Sequence, residues 1–320
     1  MQIDRRSYPV ASEPLEERCF DVATLDRDPG WKLRGPGSLL RDRDRLAEWA
    51  AEQPDAIAKY RHGVVELPEV AALSAAIREQ LDNRFGVAWV TGIPVENDPE
   101  TASLLYLALG AAMGEVIETY GRLYDVVDQG ESYQKTAIPV SQTRESTGMH
   151  TDSSRLENVP DYVGLLCQRT ARSGGGSRIA SATRAHEALR RLNPGALQVL
   201  YRDFVRDVVT PGADRDPAKI AENRFPIFRH EQGLTLRYMR YWIETGHRIT
   251  DLPILEEEKK AMDALDEELS HEEHMFRFAL SPGDMLWVAN RVVAHDRDAY
   301  TEDPDHPRWL QRQWVRSPNA

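Results

Sequence analysis

Ser146-Thr-Gly-Met-His150-Thr-Asp152-Ser-Ser154 sets an imidazole and a carboxylate two positions apart. In an extended segment such a pair leaves the same face of the chain. A neutral His and an ionised Asp aimed at one point can hold a divalent metal, and a distant second His would complete a facial triad. Alone, the pattern is weak. Nine His and 52 acidic residues in a chain of 320 give roughly 1.5 chance matches to His-x-Asp/Glu. Two occur, the second being His271-Glu-Glu273, so the rest of the chain has to choose between them.

Downstream, Pro282-Gly-Asp-Met-Leu-Trp287-Val-Ala-Asn290-Arg-Val-Val-Ala-His295-Asp-Arg297 opens on a turn and runs on as an apolar, strand-like segment. His295 at its end is either a satisfied core histidine or a ligand. Arg308-Trp-Leu-Gln-Arg312-Gln-Trp314 follows. On a strand, Arg308, Leu310 and Arg312 share one face. If buried, those guanidiniums need anionic partners; if exposed, they are the solvated charges of an edge strand. Gly174-Gly-Gly-Ser177-Arg-Ile-Ala-Ser181 lacks the Lys-Ser/Thr ending of a phosphate loop and reads as a tight turn into a strand, with a hydroxyl facing a cavity. His271-Glu-Glu-His274 spaces its histidines three apart, short of the i, i+4 zincin pattern, and a solvated helix end is expected there.

Around these segments the texture falls into two halves. Residues 1 to about 40 are rich in Pro, Gly and charge and are expected to form a surface-hugging arm. A broken helix from Asp42 to Tyr60, a clearer one from Leu67, a buried strand over Gly86–Gly92 and an apolar helix capped by Asp98-Pro99 follow. From Tyr133 onward, short β-branched runs are separated by turns. Strands are expected around His150 and over Tyr162–Cys167, Arg178–Ser181, Phe204–Val209, Leu234–Trp242, Met285–Val288 and Trp309–Val315. Helices interrupt at Arg184–Arg191, Gly195–Arg202 and Leu255–Leu269. Many short strands with long excursions fit an antiparallel sandwich or jelly roll better than alternating βαβ units.

Composition excludes some partners. A formal charge of −12 argues against a nucleic-acid backbone. No apolar run approaches a membrane span and the N-terminus lacks a signal peptide's apolar core, so a cytoplasmic protein is expected. The two cysteines, Cys19 and Cys167, are expected to be reduced, with Cys167 a small core residue.

Taken in order, His-x-Asp, Gly-Gly-x-Ser, Asn-Arg-x-x-x-His and Arg-x-x-x-Arg resemble the taurine dioxygenase and clavaminate synthase-like branch of the Fe(II)/2-oxoglutarate oxygenases. The resemblance covers roughly Gly86 to Val315 and is densest at His150–Ser181 and Asp284–Trp314. It implies an α+β chain with a double-stranded β-helix (jelly-roll, cupin-like) core and flanking helices. That is one domain over 1–320, with an arm at 1–40 and a core at 85–316 carrying helical insertions. It implies His150, Asp152 and His295 as iron ligands, and Arg308 as partner of the far carboxylate of 2-oxoglutarate. Ser177, where the family usually has Thr, would assist the same co-substrate. Arg312 matches a position that often meets the anionic group of the primary substrate, and is the second choice for the co-substrate clamp. Retention of Asp152 argues against halogenation, since halogenating relatives replace that carboxylate by a small residue.

The reaction implied is oxidation of an aliphatic C–H with Fe(II), O2 and 2-oxoglutarate, the last leaving as succinate and CO2. The substrate implied is a small molecule carrying a carboxylate, an amino acid or amino-acid-derived metabolite of natural-product biosynthesis, with a sulfonate as the alternative. Hydroxylation is the default; desaturation, epoxidation and cyclisation use the same ligands. Arg240, Tyr241 and Gln142 are candidate pocket residues, although Leu234–Trp242 also reads as an amphipathic strand with surface arginines. A non-oxidative metal-dependent hydrolase or isomerase, or a catalytically silent small-molecule binder, stays open as another class. Oligomeric state is not legible.

Overall fold

The computed structural model describes residues 5–95, 98–136, 138–153, 155, 159–209 and 214–318. Ser154, the last residue of the motif quoted first, lies outside them. β-Branched and aromatic runs pair into a seven-stranded sheet in the order Lys32–Arg34, Val87–Thr91, Met285–Ala289, Tyr162–Arg169, Trp309–Arg316 and Glu115–Val116, with Tyr124–Val126 also pairing Trp309–Arg316. All its ladders are antiparallel except the parallel pair Lys32–Arg34/Val87–Thr91. A second sheet of three antiparallel strands joins Met275–Phe278, Ser177–Ser181 and Val293–Arg297.

The smaller sheet divides two cores through the period-two alternation of its side chains. Ile179 and Val293 belong to the core of the large sheet. Their neighbours Ala180 and Ala294 belong to a separate core under the helices Ala182–Leu192, Pro194–Leu200 and Glu256–Ser270. The Pro99–Met113 helix, apolar nearly all round, is buried against the large sheet and covered by Pro68–Asn83 and Leu39–Ala51. Asp98 caps it by accepting the Thr101 N–H at 3.0 Å. Because His295 and Arg297 follow Val293 at steps of two, they face the large sheet. The cavity between the sheets is lined from one side by Ser177, His295 and Arg297 and from the other by Leu165, Leu286 and Leu310.

Five expectations need correction. The first 40 residues are stitched into the fold: Trp31 is fully buried, donates its indole N–H to Leu25 O at 3.1 Å, and leads into the strand paired with Val87–Thr91. Leu234–Trp242 is not one strand. Its strand ends at Leu236, and Arg240–Ile249 is a helix with Trp242, Ile243, Gly246 and His247 on its buried side. The strand expected over Phe204–Val209 is confined to Asp203–Val205, and the segment at His150 forms only a single bridge, with His295. His274 is not a solvated helix end: it is buried, with Nδ1 3.2 Å from Glu268 O and from its carboxylate. Among the described residues no helix is long and apolar enough to cross a membrane.

Candidate active site

His150 and His295 are joined by a two-way backbone bridge, each N–H donating to the other's carbonyl at 3.0 and 2.9 Å. Residues 145 positions apart are thereby fixed side by side, with ring centroids 4.5 Å apart. Asp152 sits one step beyond, its backbone clamped by Asn290: Asp152 N–H donates to Asn290 Oδ1 at 2.7 Å, and Asn290 Nδ2 donates to Asp152 O at 3.1 Å. That clamp accounts for the Asn in the Asn-Arg-x-x-x-His motif. Asp152 Oδ1 then lies 3.7 Å from His150 Nε2 and 3.6 Å from His295 Nε2. Among the described residues this trio is the one group of three or more His, Cys, Asp or Glu side chains able to hold a metal ion. His271 and His274 are not part of it.

The donor chemistry fits a divalent metal. His150 Nδ1 is 2.8 Å from Gly148 O, so the ring N–H is placed there and Nε2 is left with its lone pair toward Asp152. Burial, helped by the neighbouring His295, lowers the His150 pKa to about 4 and keeps it neutral. For Asp152, burial favours the protonated acid, but Arg312 and His295 outweigh it and hold the carboxyl well below the usual range. The second oxygen of Asp152 is already committed. Trp314 Nε1 donates to Oδ2 at 2.6 Å, and Arg312 Nη1 lies 3.1 Å from the same atom. Arg312 is further boxed by the rings of Tyr120, Tyr124 and Trp314 at 5.2, 4.8 and 4.9 Å. Oδ1 alone is therefore presented to the two histidines.

At the other end of the cavity Arg308 is buried, with its guanidinium 4.8 Å from the Tyr300 ring and Nη1 without a partner among the described residues. Ser177 is buried on the same wall. The turn before it requires glycine: Gly174 and Gly175 have φ of +77° and +72°, and a Cβ at Gly174 would meet Ala299 O at 2.3 Å. Arg297, which the motifs did not single out, stands opposite Ser177 in register. Its guanidinium is also 4.8 Å from the Tyr300 ring, and it donates to Thr143 O at 2.7 Å and to Glu145 O. Burial and the adjacent Arg308 bring the Arg297 pKa down to about 10. Neither arginine has a carboxylate within ion-pair range among the described residues. The available signal was the His-x-Arg spacing, which on a strand puts His295 and Arg297 on one face.

Three candidate pocket residues lie away from the cavity wall. Arg240 opens a helix and meets Glu244, Asp263 and Asp266, each at 2.7 Å. Tyr241 packs edge-on against Tyr133 and donates to its carbonyl at 3.0 Å. Gln142 ends a short 3-10 turn whose Val140 and Ser141 reach the cavity instead. From the same stretch as Arg240, Met239 and Trp242 line the wall, because positions three apart share a helical face. A fourth cavity arginine, Arg206, also escaped the motif reading.

Known proteins place this arrangement. FR-33289 synthase of Streptomyces rubellomurinus (strain ATCC 31215) is 29% identical over 267 residues, 80% of this chain and 76% of that protein. Among solved structures, asparagine oxygenase (AsnO) superposes with a TM-score of 0.67 at 18% identity, covering 90% of this chain and 93% of the other. The non-heme iron oxygenase OrfP, in complex with Fe, succinate and (3S)-hydroxy-L-Arg, gives 0.65 at 19% identity, covering 89% and 94%. The cofactors are iron and 2-oxoglutarate, and the protein is a 2-oxoglutarate-dependent non-haem iron dioxygenase. Residues 47–314 match the model of the taurine catabolism dioxygenase TauD, TfdA family, and the chain belongs to that family.

Proposed function

We propose that this dioxygenase oxidises an aliphatic C–H of an amino acid or amino-acid-derived metabolite carrying a carboxylate, with hydroxylation as the outcome, in natural-product biosynthesis. One observation carries the reading: a buried His150–Asp152–His295 trio shares its cavity with Arg308 and Arg297, neither of which has a carboxylate within ion-pair range among the described residues. When bound, iron and 2-oxoglutarate supply oxidising power from O2, with release of succinate and CO2.

The chain's own residues do the positioning. His150, Asp152 and His295 would hold the metal, which would supply the redox chemistry of the site. Arg308, with Arg297 and the Ser177 hydroxyl, holds the far carboxylate of 2-oxoglutarate. Two guanidiniums without a counter-charge among the described residues are suited to that dianion. Arg312 and Trp314 fix the Asp152 carboxylate, which makes Arg312 a positioning residue. On this reading the two sheets are the walls of a double-stranded β-helix within a single domain. Support for the substrate class comes from the asparagine oxygenase and OrfP structures, which hold 3-hydroxyasparagine and (3S)-hydroxy-L-Arg.

Anaerobic addition of Fe(II) and 2-oxoglutarate should produce the visible charge-transfer band of the chelate, and amino acids and small peptides should then be scored for stimulated succinate release. Arg308→Ala should raise the 2-oxoglutarate needed for half the band by roughly 10- to 100-fold, the worth of a charge-assisted pair. A colourless mixture would remove the oxygenase reading in favour of a hydrolase or a silent binder.

A further inference from the structure

We propose that Arg206 is the anion-binding residue for the primary substrate, taking an oxyanion group, a carboxylate or a phosphoryl, at the end of an apolar stem. This rests on the cavity being the oxygenase site. Four arginines line that cavity: Arg206, Arg297, Arg308 and Arg312. Arg312 is committed to Asp152, and Arg297 and Arg308 share the Tyr300 end. Arg206 is left over, and no carboxylate among the described residues neutralises it.

It follows the strand Asp203–Val205 and is 2% exposed. Its guanidinium lies 4.0 Å from the Phe225 ring, and Nη2 donates to Arg237 O and, at 3.5 Å, to Pro226 O. Nε has no partner, and no carboxylate is within ion-pair range, among the described residues. The adjacent carboxylate, Asp207, is turned onto Arg215 in a two-pronged pair at 3.1 and 2.7 Å. A second cation, Arg237, sits 3.6 Å from the same Phe225 ring and adds to the positive charge. An aromatic face and two carbonyls only partly replace the hydration that a buried guanidinium gives up. On the wall of a ligand cavity, such a residue is an anion site awaiting its anion.

The position is also built to be fixed. A Cβ at Gly246 would meet Asp207 N at 2.5 Å and the Arg206 carbonyl carbon at 2.7 Å, so the Arg240–Ile249 helix packs directly on this backbone. Beside Arg206, cavity residues Val140, Val209, Met239 and Trp242 form an apolar cluster of their own. The wall thus offers one charge next to an apolar surface, which selects an amphiphilic substrate rather than a fully polar one.

The test is titration calorimetry of the whole protein, anaerobic with Fe(II) and saturating 2-oxoglutarate, using butyrate and butylphosphonate as probes. The wild type should bind at least one probe 1:1, the preferred one telling carboxylate from phosphoryl. Arg206→Gln should weaken that binding at least tenfold, and Arg206→Lys, which keeps charge but loses the fork, by less. No wild-type binding of either probe, or Gln-variant binding equal to wild type, overturns the assignment. If the Gln variant does not fold, the Lys variant decides, and unchanged affinity there overturns it. The charge-transfer band in the same samples separates the two claims. Its absence removes the oxygenase reading and leaves anion binding to be judged alone, whereas an intact band with probe binding indifferent to residue 206 removes only the role of Arg206.

Discussion

Arg312 and Arg206 stand on the wall of one cavity, and both have aromatic rings against their guanidiniums. Arg312 faces a carboxylate at 3.1 Å; Arg206 faces carbonyl oxygens and a second arginine. The contrast separates two uses of a buried cation. One completes a structure that already holds its counter-charge, and so orients Asp152. The other leaves the pairing to a molecule that arrives later. Chain position alone would have favoured Arg312 for substrate, because it follows Arg308 on the same strand face.

The most damaging way to disturb this contrast is Asp152→Ala, which takes from Arg312 its carboxylate partner. Loss of the charge-transfer band and of substrate-stimulated succinate release should be complete. Denaturant unfolding of the metal-free variant should show a loss of about 3 kcal/mol, the order expected when one partner of a buried pair is removed. Unchanged stability would mean that the rings around Arg312 suffice without the carboxylate.

Arg312→Lys keeps a charge but not the fork. If Arg312 acts through Asp152, iron affinity should fall by roughly 10- to 100-fold, the usual cost of a lost orienting partner. Iron affinity equal to wild type, together with a raised substrate requirement, would instead return Arg312 to the substrate.

The smallest effect probes the Arg206 side through pH. His247 Nε2 accepts the Val205 N–H at 3.3 Å, one residue before Arg206, and Nδ1 is 3.0 Å from Leu252 O. Burial lowers the His247 pKa. Below an unfolded value of about 6.5 the unfolded chain takes a proton that the folded chain refuses. Stability therefore falls as pH drops through that value and toward the folded pKa. In His247→Gln, the drop in unfolding midpoint between about pH 7.5 and 5.5 should be shallower than in wild type. It should not vanish, because burial also lowers His150 and His186. Identical slopes would show that His247 contributes nothing to the pH dependence.

The His150–Asp152–His295 trio was legible because its motifs lie in fixed order and a spacing of two in extended chain puts His150 and Asp152 on one face, even though only His295 lies on a strand. Arg206 was not, because its setting is assembled from Phe225 within one strand and Arg206 and Arg237 just past the ends of two others, with no local period to reveal it. Arg240 and Tyr241 are candidates only as the aromatic and cationic side chains of a stretch expected to be a strand. The stretch Trp242, Ile243, Gly246, His247 has instead the three-and-four spacing of a helix, which rotates 240 and 241 away from the wall and brings Met239 and Trp242 onto it. The buried Trp31 escaped notice because one tryptophan among prolines, glycines and charges carries no periodicity.

The threading of the large sheet sets a timetable for synthesis. Its middle strand, Met285–Ala289, and the strand Trp309–Arg316 both follow Asp152 far along the chain, and His295 lies between them. A nascent chain that has already emerged past Asp152 owns two metal donors and no third, and the strand beside Val87–Thr91 is still missing. Contacts of such long separation close late. The three-donor site therefore waits for residue 295 to emerge, and a chain cut short before residue 285 would lack the sheet's centre and the third donor together.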